Sequence, residues 1–204
     1  MNSGPTIFLV DDDASVRDAV GLFLESLGMT VKVYSSAQVF LDSYRSEWPG
    51  CMVLDISMPG MTGLELQEVL QKRSIELPII FLTGQGNIPQ SAKAFKAGAV
   101  DFIEKPFNDK QLLERIQEAI AIDSQNRQQK EKQSEILEHY SRLTSREREV
   151  MGHVVDGLSN KEIARELEIS HRTIDIHRAR IMEKMGAHSL ADLVRMTSRG
   201  SLDK

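Results

Sequence analysis

Cys51–Gly63 reads CMVLDISMPGMTG: a short apolar run, Cys51 to Leu54, set between Pro49-Gly50 and Pro59-Gly60. An unbroken apolar run of that length, bounded by turn formers, predicts a strand buried on both faces of a parallel sheet. The run ends at Asp55. In open α/β sheets ligands bind just beyond the carboxyl ends of the strands, so this carboxylate stands where chemistry is expected.

The segments on either side repeat the pattern. Upstream, Thr6 to Val10 (TIFLV) runs straight into Asp11-Asp12-Asp13. Ser15 is then the expected cap of a helix whose inner face is Val16, Val20, Phe23, Leu24 and Leu27, closed by Gly28. A strand over Thr30 to Tyr34 and a helix over Ala37 to Tyr44 complete the upstream half. Downstream the spacing predicts a helix over Leu64 to Gln71 and a strand from Ile79 to Leu82 ending at Thr83-Gly84. A helix over about Ile88 to Ala97, a short strand over Val100 to Ile103 before Lys105-Pro106, and a helix from near Asn108 follow. Leu112, Leu113, Ile116 and Ile120 form the apolar stripe of that helix. Five strands alternating with helices predict an α/β doubly wound five-stranded parallel sheet with right-handed crossovers. Such a sheet collects Asp11, Asp12, Asp55, Thr83 and Lys105 at its strand ends.

The character of the chain changes after this. Asp123 to Glu135 (DSQNRQQKEKQSE) has no apolar residue, and no Gly or Pro breaks it, which predicts a partly helical connector with a spacer role. Thr144 with Glu147 three residues on forms a capping box ahead of Val150, Met151, Val154 and Val155. Ser159 caps a short helix over Asn160 to Leu167, and Glu168-Ile169 makes a turn. Ser170 caps a helix over His171 to Met185, and Ser189 caps a last one. Two short helices joined by a tight turn, the second rich in basic residues, form a helix-turn-helix. The expected division is 1–122, 123–138 and 139–204.

Composition agrees with two modest domains. The chain has 204 residues, 41% hydrophobic and 27% charged, in the ordinary globular range. Residues 1–139 carry 13 Lys and Arg against 20 Asp and Glu, about −7, while residues 140–204 carry 12 against 10, about +2. An acidic first part joined to a mildly basic second part suggests an acidic site coupled to something that meets a polyanion. No apolar run approaches the roughly 18 residues of a membrane-spanning helix. The start, MNSGPTIFLVDDD, lacks the basic and long apolar regions of a signal peptide. A single cysteine, Cys51, excludes an internal disulfide and suits a reducing cytoplasm.

Three carboxylates near one another repel unless a cation joins them, and a hard ion such as Mg²⁺ suits an oxygen donor set. His171 and His177 are six apart, off the spacing of a zinc pair. With a divalent ion, a lysine and a hydroxyl beside it, Asp55 has the surroundings of a phosphoryl acceptor.

Here a resemblance becomes close. With its acidic pair, LDISMPGMTG, strand-end Thr83 and Lys105-Pro106, residues 6–122 resemble the receiver domain of two-component response regulators. The run LTSREREVMGHVVDGLSNKEIARELEIS, followed by RTIDIHRARIMEKMGAHSLADLV, resembles the four-helix DNA-binding domain of the NarL/LuxR/FixJ class, nearest the FixJ branch. The resemblance implies that Asp55 accepts a phosphoryl group from a sensor histidine kinase. It implies that Asp11, Asp12, Asp55 and the Ser57 carbonyl bind Mg²⁺, and that Lys105 contacts phosphate. Thr83 and Phe102 are the implied switch pair, and the Lys105-Pro106 bond is an expected cis site. Thr173, Asp175, Ile176 and Ala179 are implied to face the major groove, with Lys161, Arg172, His177, Arg178 and Arg180 toward phosphates. Asp175 departs from the basic residue common at its position, and a carboxylate there can accept from cytosine N4 or turn to solvent. Implied partners are promoter DNA, RNA polymerase and, on phosphorylation, a second copy of the chain, with no membrane; the protein is then a regulator and not a turnover enzyme.

Two other classes compete. A phosphohydrolase of the haloacid dehalogenase type also uses an aspartate nucleophile, but needs a carboxylate two residues later, where this chain has Ser57. A flavodoxin-like flavin binder needs a Ser/Thr/Gly loop after the first strand, where three aspartates stand.

Overall fold

The structure is a computed structural model that describes residues 4–84 and 98–197. Its first unit, up to Arg127, is built on five strands: β1 (Thr6–Val10), β2 (Thr30–Tyr34), β3 (Gly50–Asp55), β4 (Ile79–Thr83) and β5 (Asp101–Glu104). All pair in parallel, in the order β2-β1-β3-β4-β5. This is the doubly wound sheet predicted from the apolar runs. The inner strands β1, β3 and β4 are buried throughout because both faces are covered, whereas the edge strand β2 leaves Val33 exposed.

Helices α1 (Ala14–Ser26) and α4 (Asp109–Ser141, at its start) cover one face, burying Val20, Leu24, Leu112 and Ile116 against Ile7, Leu9, Val53 and Leu82. Helices α2 (Ala37–Ser43) and α3 (Gly63–Lys72) cover the other, burying Phe40, Leu66 and Leu70 against Phe8, Met52, Leu54 and Phe81. Only glycine fits at Gly50, where φ is 143° and a Cβ would overlap the Thr6 backbone. The expected helix over Ile88 to Ala97 lies outside the described residues. The first helix is capped by Asp13, not Ser15: the Asp13 carboxylate accepts from the Ser15 amide at 2.8 Å. A carboxylate two residues earlier, just ahead of the helix, reaches the free amides of the first turn.

The polar connector is helical along its whole length, as part of the 33-residue α4. The second unit begins at Gln128. It contains α5 (Ser145–Val155), α6 (Asn160–Glu166), α7 (His171–Met185) and α8 (Leu190–Thr197). Thr144 and Ser159 each form a full capping box, Ser170 caps α7, and Gly186 closes it in the left-handed conformation at φ 66°. Leu143, Val150, Val154, Ile163, Ile174, Ile181, Met185 and Leu193 make its core. Among the described residues no helix is long and apolar enough to cross a membrane.

Candidate functional site

The ends of β1, β3, β4 and β5 deliver the predicted cluster. Asp11 follows β1 and is fully buried; Asp55 ends β3 and Thr83 ends β4, both nearly so. The Lys105 ammonium donates to Asp11 Oδ2 at 2.7 Å and to Asp55 Oδ1 at 2.6 Å. The remaining oxygens are held by backbone. Asp11 Oδ1 accepts from the Asp13 amide at 2.9 Å, and Asp55 Oδ2 accepts from the Ser57 amide at 2.7 Å. Gly63 lets α3 start close against the end of β3, since a Cβ there would overlap the Asp55 carbonyl. The Lys105 amide donates to the Thr83 carbonyl at 2.7 Å and the Lys105-Pro106 bond is cis, as the resemblance implied.

Burial pushes the Asp11 carboxyl above its ordinary 3.8, and the Lys105 ammonium and Asp13 amide only partly counter it. Burial also works against the charge on Lys105, but hydrogen bonds to Asp11 and Asp55 carry its pKa above the ordinary 10.5. Two carboxylates on one ammonium leave a negative pocket. Asp12 stays exposed and does not join the ion pairs; it lines, with Ser57, Met58 and Thr62, an adjoining cavity of about 470 Å³. An under-compensated set of oxygen donors beside an open cavity fits a hard divalent cation. Among the described residues no three Asp, Glu, His or Cys side chains are placed to hold a metal by themselves. Mg²⁺ does not require that, because it binds through one or two carboxylates and keeps its waters.

Thr83 Oγ1 donates to the Gly84 carbonyl at 3.1 Å. Phe102 lies on β5 opposite Phe81 of β4 and is partly buried against the α2/α3 core. These two residues sit on the neighbouring strands β4 and β5.

Three residues of the first unit carried no role in the sequence reading, one beside the pocket and two at the opposite end of the sheet. Arg17 donates to the Asp11 carbonyl at 2.7 Å and steadies the turn after β1. Asp123 and Arg127, read as part of a solvated spacer, belong to the first unit. Asp123 is buried and accepts from the Gly50 amide at 2.8 Å, while Arg127 donates to Asp123 at 2.8 Å and to the Trp48 carbonyl at 2.6 Å. The signal was present in the spacing, since 112, 116, 119 and 123 fall on one buried helical face. Cys51 is inert, its thiol pushed up to about 12 by burial.

In the second unit α7 lies across α5 and α6 with its outer face in solvent. Arg172, Asp175, Ile176, Ala179 and Arg180 are exposed there, Ile176 at 45%, and Lys161 is exposed on α6. Thr173, His177 and Arg178 are half-buried. The Thr173 hydroxyl shares a hydrogen bond with the capping Ser170 hydroxyl at 2.7 Å. At the far end of α7, Lys184 donates to the buried Glu147 at 2.6 Å, which ties the capping box of α5 to the long helix. That contact, with the Thr144 donors, holds the Glu147 carboxyl down to about 2.

Residues 7–117 match the family model described as "Response regulator receiver domain", and residues 141–197 match "Bacterial regulatory proteins, luxR family". The chain belongs to the response regulators. This response regulator is 43% identical over 193 residues to the response regulator protein TodT of Pseudomonas putida, covering 95% of this chain and 85% of TodT. It is 41% identical over 196 residues to the transcriptional regulatory protein FixJ of Bradyrhizobium diazoefficiens, covering 96% of each. The solved structure of the response regulator StyR matches with a TM-score of 0.87 at 43% identity, covering 96% of this chain and 99% of that one. Full-length FixJ from B. japonicum matches over the whole of both chains with a TM-score of 0.60 and 40% identity. A receiver domain followed by a LuxR-type DNA-binding domain makes this a two-component regulator of transcription. Ser57, two residues after Asp55, offers no second carboxylate, and that keeps the phosphohydrolase reading out.

Proposed function

We propose that Asp55 is the phosphoacceptor of this response regulator, charged by the phosphohistidine of a sensor histidine kinase. The observation that carries this reading is the Lys105 ammonium shared between Asp11 and Asp55, at 2.7 and 2.6 Å. An Asp55 carboxylate oxygen forms a bond to phosphorus as the phosphorus–nitrogen bond of the donor breaks, and the donor imidazole keeps the electron pair. Lys105 and the Thr83 hydroxyl stabilise the oxygens of the transferred group. Receiver domains bind Mg²⁺ at this acidic pocket; here Asp11, Asp12, Asp55 and the Ser57 carbonyl would hold it, and it supplies charge neutralisation for the phosphoryl group. Turnover of a separate substrate is not part of this role.

The phosphorylated state draws Thr83 inward, lets Phe102 bury, and favours a homodimer. Two copies of α7 then read half-sites of promoter DNA. Thr173, Asp175, Ile176 and Ala179 face the bases, Lys161, Arg172, His177, Arg178 and Arg180 face phosphates, and RNA polymerase is the downstream partner. Residues up to Arg127 act as receiver, since Asp123 and Arg127 pack within that unit, 128–138 act as connector and 139–204 as the DNA-binding domain, in the cytoplasm.

The test is oligomeric state and duplex-DNA binding with and without acetyl phosphate plus Mg²⁺, beside Asp55→Asn. A dimer with tighter binding in the wild type, absent in the variant, is the expected result. Binding of equal strength in all four conditions removes Asp55 as the control point.

A further inference from the structure

The recognition helix carries a carboxylate where a polyanion must approach, and the fold does not leave that carboxylate loose. Asp175 Oδ1 accepts from the Asn160 side-chain amide, on the preceding helix α6, at 2.6 Å. Asp175 Oδ2 lies 3.4 Å from His171 Nδ1, one turn back on α7. An acid needed only for solubility on an exposed helix face gains nothing from a neighbouring helix holding it in place. Here two side chains from two helices set its orientation, while its side chain remains 53% exposed and the adjacent Ile176 stands out beside it.

A fixed carboxylate is an acceptor and nothing else. In the major groove guanine presents N7 and O6 acceptors, thymine presents O4, and adenine places its N7 acceptor beside the N6 donor. Each of these meets a carboxylate with at least one repulsive lone pair. Cytosine alone presents the N4 donor and no major-groove acceptor of its own. We propose that Asp175 is a specificity-determining residue that selects cytosine at one base pair of each half-site, with Asn160 as the residue that positions it. This rests on the DNA-binding reading above and adds to it a base, an atom and a supporting residue. The carboxylate also opposes phosphate, so it trades general affinity for selectivity.

The experiment is selection from a pool of randomised duplex DNA by the full-length protein with acetyl phosphate and Mg²⁺, run in parallel for wild type, Asp175→Asn and Asn160→Ala. Duplexes differing at single base pairs of the selected site then give relative affinities. The expected result is a cytosine in each wild-type half-site whose preference falls about tenfold in Asp175→Asn. In Asn160→Ala it weakens at the same base pair, although the charge of the protein is unchanged. A selected site identical for all three proteins, with affinity for every sequence raised by one common factor in Asp175→Asn, overturns the proposal and makes Asp175 a brake on binding. Failure of the wild type to bind any duplex overturns the DNA-binding reading itself, a distinguishable outcome.

Discussion

The receiver pocket and the outer face of α7 handle charge in opposite ways. In the pocket, Lys105 meets partners 94 and 50 residues away in the chain, and the carboxylates it joins are almost wholly removed from solvent. On α7, Asp175 pairs with its own helix and the one before it, and Arg172 and Arg180 lie open to water. Fields between buried charges are weakly screened, whereas exposed charges are damped by water and salt. A buried cluster therefore acts as a unit, and losing one member disables it. An exposed surface is a sum of small, nearly independent contributions.

The largest effect that follows is at Lys105. Lys105→Met should slow labelling of Asp55 by acetyl phosphate by about 10²–10³-fold, the scale of removing one preorganised charge donor. Phosphoprotein gel shifts over time measure it. A rate within tenfold of wild type would mean the pocket behaves like a surface, and the contrast fails.

Glu147 sharpens the same contrast inside the second unit, because it is a buried acid in a half whose other described acids are exposed or half-buried. Glu147→Gln should lower stability at neutral pH by about 1–3 kcal/mol, through loss of the charged bond to Lys184. The folded carboxyl titrates near 2 and its ordinary value is 4.5, so its contribution is present above 4.5 and disappears as pH falls toward 2. Thermal melts of both proteins should converge over that window. A gap that persists unchanged in acid would assign the effect to packing.

The smallest effect is at Lys161. Lys161→Ala should weaken binding to all duplexes by the same few-fold factor and flatten the slope of log affinity against log salt by about one. A change in preferred sequence would instead make Lys161 a base reader.

Much of this was legible before any coordinates. Asp11, Asp55, Thr83 and Lys105 each follow an apolar run, and strand ends on one side of a parallel sheet converge, so the cluster could be assembled from spacing. The capping box at Thr144 was equally plain, since a box is a contact between residues three apart, and Ser159 was legible as a cap. Asp123 was misread because its polar neighbours hid it. Composition averages over a window, but burial is decided by one face of the helix, and Asp123 completes the buried stripe of Leu112, Ile116 and Ala119. Arg127 then follows one turn later to satisfy it and three carbonyls of the loop before β3.

Order along the chain determined the sheet, the two-part organisation and the residue types at each strand end, because strand and helix periodicities and caps are local. Tertiary structure decided how charge is shared: Lys105 lies between Asp11 and Asp55 while Asp12 stays in solvent, and Asn160 holds Asp175. Those outcomes depend on distances across strands and between helices. The sequence specifies such distances only through the packing of the whole core.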